Sequence, residues 1–226
     1  MPISKLSEPS LVTERVFGAI HSAIMSGQLP AGARLRIRDL ADQLGTSPMP
    51  VRDAISRLEQ SGLAHRVAHK GAVVTALTPA ELVHVYATRS PLETEATRLG
   101  TLIITAAGIE RMRVEHRKTM AASKAGRGAD ALNHDEALLT VLYTAAGNPV
   151  LLELIRSLWH RCRPYKLLGV QPALDPPDPG VWSHQDRLIQ AVSAHDCEAA
   201  VAVTRESLHH ATARISAQLR ASGGPA

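Results

Sequence analysis

Met49, Arg52, Ser56 and Arg57 fall on one face of the segment Gly45 to Gly62, and the other face is apolar. Guanidinium and hydroxyl groups can touch phosphate or a base edge, so the chemistry this face offers is contact with nucleic acid. Such a face needs a helix behind it. Val51, Ala54, Ile55 and Leu58 recur at i, i+3, i+4 and i+7, a stripe that packs inward. Ser47 stands where its hydroxyl can cap the helix, and Pro50 falls in the first turn, where a missing N–H costs nothing.

The flanking segments read as the elements that hold this helix. Val12, Val16, Ile20 and Ile24 step through a helix that stops near Gly27, followed by a Pro30-Ala31-Gly32 turn. A shorter helix around Leu40 and Leu44 runs to Gly45. Leu63 to Val67 and Ala72 to Leu77 are predicted strands of a hairpin with a basic tip at Ala68-His69-Lys70-Gly71. Three helices and a two-stranded wing make a winged helix-turn-helix over residues 1–77.

Thr78-Pro79-Ala80-Glu81 is a capping box with proline at the first helical position, so a helix starts directly after the wing and runs to about Leu99. Beyond it strand signals vanish. Helical stretches are predicted over about 108–125, 129–146, 149–167, 181–193 and 196–219, with four prolines marking a loop over Gly169 to Gly180. Residues 78–220 thus read as an antiparallel all-α bundle of about six helices, able to enclose a small-molecule site, and 221–226 as a disordered tail. The fold class is mainly α.

Composition narrows the functional classes. The formal net charge is +4 in 226 residues. Residues 1–77 carry 9 Lys and Arg against 6 Asp and Glu, and the remainder is nearly neutral. A basic module joined to a neutral one suits DNA docking coupled to sensing, although an ordinary solvated surface has the same count. Cys162 and Cys197 are too few and too distant for a disulfide framework or a zinc ribbon. With no apolar signal core and no apolar run of membrane length, the expected setting is a reducing cytoplasm, without membrane association. There is no glycine-rich phosphate loop, nucleophile elbow or HExxH pair, so an all-α enzyme is the weaker class.

In order and spacing, Ala31-Gly32-Ala33-Arg34-Leu35, Asp39 to Gly45, Pro50-Val51-Arg52-Asp53-Ala54 with Leu58-Glu59, Gly62-Leu63 and Lys70-Gly71-Ala72 resemble the GntR family of bacterial transcription regulators. Arg89 with Glu93, Ala145-Ala146-Gly147-Asn148, His184 with Ile189 and Ala191, and Asp196 with Ala200 resemble the FCD effector domain of its FadR-like group. The resemblance implies a homodimer on a short, roughly palindromic operator, with each recognition helix in a major groove and each wing at a minor groove. It implies Arg34 and Arg38 on phosphates, Ser47, Met49 and Arg52 at the groove, and His69, Lys70 and Gly71 at the wing tip. Arg57, late on the helix, joins the set from its face alone. Many relatives carry arginine then threonine where this chain has Pro48 and Met49, and proline cannot make arginine's paired contact to guanine.

The resemblance also implies an effector pocket. Many FCD domains hold a divalent metal (zinc, nickel or manganese) with one Asp and three His. Here Asp135 and His184 match, but Leu139 and Ser207 stand at the other two positions. His210, one turn beyond Ser207, is a conceivable substitute. The metal-free alternative has Arg89 binding an anionic, carboxylate-type effector, with His184, Asp135 and Ser207 supplying hydrogen bonds. Structural readings stand beside these: Asp135 as an exposed helix residue, His184 as a satisfied core histidine, Arg89 paired with Glu93 at i+4. The expected function is a ligand-responsive regulator, more often a repressor in this family; a DNA-binding regulator that has lost its effector response is the other reading.

Overall fold

The computed structural model describes residues 11–68, 71–170 and 179–221. His69 and Lys70 lie outside the described residues, as do residues 171–178 of the proline-rich loop and 222–226 of the tail. The chain forms two compact units, residues 1–76 and 77–226.

In the first unit, helices α1 (Leu11–Met25), α2 (Ile37–Leu44) and α3 (Pro48–Gln60) surround a core built from Val16, Ile20, Ile24, Leu40 and the α3 stripe Val51, Ala54, Ile55 and Leu58. All four stripe residues are buried, as the spacing required. Gly45 ends α2 in the left-handed conformation. The hairpin strands are β2 (Ala64–Val67) and β3 (Gly71–Val74). A third strand, β1 (Arg34–Leu35), pairs antiparallel with β3 and gives the order β1-β3-β2. Two residues carry no readable alternation; this strand exists because Gly32 and Ala33 are held to Val74 by backbone hydrogen bonds of 3.0 and 2.8 Å.

One capping expectation fails. Ser47 has the extended N-cap conformation, but its hydroxyl makes no capping bond. The reason is local: the N3 residue is Pro50, which has no N–H to donate.

The second unit contains α4 (Pro79–Ile103), α5 (Ala106–Lys124), α6 (Gly128–Ala145), α7 (Pro149–Val170), α8 (Ser183–Ser193) and α9 (Cys197–Ala221), with a short 3₁₀ turn at Pro179–Trp182. The expected capping box opens α4: the Thr78 hydroxyl accepts from the Glu81 N–H at 3.2 Å, and Glu81 accepts from the Thr78 N–H at 2.8 Å. Its core runs through Met112, Leu138, Leu142, Ile155, Trp159, Leu188 and Val192. Gly100 lets α4 and α6 approach closely, since a Cβ there would run into the Leu142 carbonyl. No helix among the described residues is long and apolar enough to cross a membrane.

Candidate functional site

The first unit has an open groove where α2, α3 and the hairpin meet. Arg38, Arg52 and Gly71 line it together, joined by Arg36 and Arg66, which sequence reasoning had not singled out. Arg38 and Arg52 are exposed and make no ion pair among the described residues, so Asp42, four residues after Arg38, does not occupy it. Arg36 and Arg66 are paired at the surface with Asp39 (3.6 Å) and Glu59 (3.0 Å), contacts weak enough for phosphate to replace. Ser47 and Met49 are exposed at the start of α3, and Arg34 is exposed on β1. Gly71 has φ 75°, a conformation that lets β3 leave the turn.

Arg57 does not join this set. Its guanidinium bonds Glu14 of α1 at 2.7 Å and lies 4.2 Å from the Phe17 ring centroid. Five residues beyond Arg52, it has rotated about 140° round the helix and packs α3 onto α1.

The second unit encloses a cavity of about 80 Å³ among α4, α6, α7, α8 and α9. Arg89, Asp135, His184 and Ser207 all line it, so the structure brings the four expected residues together. Their roles differ from expectation. Arg89 is buried and committed: its Nε donates to Glu93 at 2.6 Å. The same carboxylate accepts from Tyr143 (3.1 Å) and from the Trp159 indole (3.0 Å). Burial works against the Arg89 charge, but Glu93 outweighs it and holds the guanidinium well above its ordinary range. The i+4 pair is therefore a structural centre, one that needs Tyr143 and Trp159 as well as the two charges.

A second buried network stands beside it. Glu136 bonds Arg163 at 2.7 Å and Lys166 at 2.9 Å. Burial opposes both ionised partners, yet the attraction wins, lowering Glu136 and raising Lys166. Glu136 and Lys166 were not singled out in the sequence because nothing in their spacing shows that α6 and α7 bring them together.

Asp135 is buried, not an exposed helix residue, and burial raises its pKa. Its partner is Gln185, whose amide donates at 2.6 Å, and not His184. One residue along α8 is a turn of about 100°, and that rotation carries the His184 ring outward to His210 and Glu206. The four positions Asp135, Leu139, His184 and Ser207 therefore do not fit the metal of the resembling domains. Leucine has no donor atom and lies against the apolar core, and the carboxylate is already held by an amide.

Two buried polar atoms on the cavity wall have no hydrogen-bond partner among the described residues: the Tyr86 hydroxyl and the Gln185 carbonyl oxygen. Arg89 lies over the Tyr86 ring, 4.4 Å from its centroid. Burial pushes the Tyr86 pKa up to about 12, so the phenol keeps its proton and can donate it.

A three-helix unit with a small hairpin sheet and a cationic groove beside the third helix is a winged helix-turn-helix, a DNA-docking class. Residues 12–74 match the family model described as bacterial regulatory proteins of the gntR family, and residues 84–210 match the FCD domain. The chain belongs to the GntR family of bacterial regulatory proteins, in the branch carrying an FCD domain.

Over 106 residues it is 31% identical to an uncharacterised HTH-type transcriptional regulator of Agrobacterium vitis, covering 45% of this chain and 62% of that one. It is 40% identical over 96 residues to a probable D-xylose utilization operon transcriptional repressor of Paenarthrobacter nicotinovorans, 42% of each chain. The chain thus spans less than two thirds of these two relatives. The solved structure of Escherichia coli McbR/YncC shares the fold, with a TM-score of 0.78 at 24% identity, over 93% of this chain and 99% of that one.

Proposed function

We propose that this regulator is a homodimeric repressor whose operator affinity is set by a small, hydroxyl-bearing anion held in the cavity of the second unit. The observation that carries this reading is the pair of buried atoms lining the cavity, Tyr86 Oη and Gln185 Oε1, that have no hydrogen-bond partner among the described residues. An orphaned buried acceptor costs about 1–3 kcal/mol, and a ligand group that meets it recovers that energy. Gln185 gives one N–H to Asp135, and its carbonyl oxygen can accept from a ligand O–H or N–H. The Tyr86 hydroxyl can donate to a carboxylate, on the side where Arg89 and Lys166 place positive charge. Repression is the activity named for the Paenarthrobacter relative.

At the DNA end, Arg52 and Met49 on α3 and Ser47 at its N-cap approach the bases, Arg34, Arg38 and Arg36 take phosphates, and His69, Lys70 and Gly71 serve the neighbouring groove. Coupling requires that the ligand bind the DNA-free state more tightly than the DNA-bound one. The test is a thermal-shift screen of small hydroxy acids, sugars and simple carboxylates on wild type and Gln185→Leu. Hits are then titrated against operator DNA selected from a random library. Stabilisation by a hydroxy acid, lost in the variant and accompanied by weaker DNA binding, is the expected result. A ligand that stabilises both proteins equally removes Gln185 from recognition.

A further inference from the structure

Outside the buried networks, one cluster among the described residues has the spacing of a metal ligand set. His184, near the start of α8, points its Nε2 at the Nδ1 of His210 on α9, 3.2 Å away. The same Nε2 lies 3.7 Å from Oε1 of Glu206. One donor atom from each of the three residues lies within 4.8 Å of the others. Two donors bound to one tetrahedral zinc stand roughly 3.3 Å apart, given metal–donor bonds of about 2.0–2.1 Å. The His184–His210 separation therefore matches a shared cation, and the Glu206 carboxylate must draw closer to complete the set. Glu206 and His210 are four residues apart on α9 and share a face, so a single helix supplies two donors at a fixed spacing.

We propose that His184, Glu206 and His210 form a divalent-cation site, of the two-imidazole, one-carboxylate kind suited to Zn²⁺, at the rim of the cavity. It uses only one of the four positions that the resembling domains employ, and Asp135 is bound to Gln185 instead. His184 is half-buried, Glu206 partly so and His210 exposed, which leaves the site open to ions from solvent. Burial lowers the His184 pKa against the opposing pull of Glu206, which keeps the imidazole in the neutral form that ligates. Glu206 now accepts from Arg187 at 2.8 Å, and a cation must compete with that guanidinium. Occupancy would tie α8 to α9 beside Ser207, which faces the cavity. The site does not depend on the effector reading above.

The experiment is calorimetric titration of untagged, chelator-treated full-length protein with Zn²⁺ alone. One ion per chain is expected. His210→Ala and Glu206→Gln should each weaken binding by at least about tenfold, since even outer partners of ligands cost that much. Asp135→Asn and His209→Ala should bind as wild type does. Arg187→Ala should bind more tightly, an outcome that misfolding cannot mimic. No stoichiometric uptake overturns the proposal. So does binding lost through Asp135→Asn but kept in His210→Ala, which places the ion in the cavity. Equal weakening by His209→Ala, or weaker binding in Arg187→Ala, also counts against it.

Discussion

Glu93→Gln isolates the buried charge that organises the second unit. The Arg89 and Glu93 side chains are 3% and 2% exposed, and arginine cannot shed its proton to escape burial. Glutamine keeps an oxygen for Arg89 and Trp159, and the Tyr143 hydroxyl can turn to accept from its amide. What is lost is the negative charge. Removing one partner of a buried ion pair costs about 3–5 kcal/mol. With a slope of about 3 kcal/mol per molar urea, the unfolding midpoint should fall by about 1–1.7 M. Both tryptophans, Trp159 and Trp182, lie in the second unit, so intrinsic fluorescence follows its unfolding alone. Protein concentration must be held constant, because the stability of the proposed homodimer depends on it. The double variant Arg89→Met/Glu93→Gln removes the orphaned cation and should be more stable than Glu93→Gln alone. A shift in Glu93→Gln no larger than a surface substitution causes, about 0.5 kcal/mol, would refute the reasoning.

Three further outcomes follow from the geometry. Arg52→Ala should weaken operator binding by about 1–3 kcal/mol with the fold intact, whereas Arg57→Ala should leave DNA affinity unchanged and cost about 1 kcal/mol of stability through Glu14 and Phe17; anisotropy at fixed salt and urea melts separate the two. Gly71→Ala forces a side chain into a left-handed position at a cost of about 1–2 kcal/mol, and should lower the melting temperature although nothing crowds the site. Asp135→Asn should stabilise the protein at neutral pH. The folded-state pKa of Asp135 is raised, so the native state holds its proton longer than the unfolded chain and stability falls as pH rises above roughly 4; the gain from asparagine should therefore shrink as pH is lowered toward that value in a series of thermal melts.

How legible all this was depends on whether the controlling contact is local. The α3 stripe, the Thr78 and Glu81 box and the glycine after α2 are readable because each element's own residues decide them. Ser47 shows the limit even locally, since the cap depends on a proline three residues on. Arg57 has a DNA-facing residue type, but the rotation of one helix and the position of Glu14 on another decide its partner. In the second unit the sequence placed four residues at a cavity but not their bonds. Asp135 meets Gln185 rather than His184 because one step along α8 turns a side chain by about 100°. Glu206 and Gln185 carried no motif, and only the packing of α8 against α9 and α6 gives them partners.

The measurement closest to the central claim is the affinity of the full-length protein for its selected operator, by fluorescence anisotropy at fixed salt, with and without a cavity ligand found by thermal shift. A ligand stabilising wild type but not Gln185→Leu should weaken operator binding in wild type and leave the variant's unchanged. A ligand that depends on Gln185 for binding yet leaves operator affinity the same would contradict it.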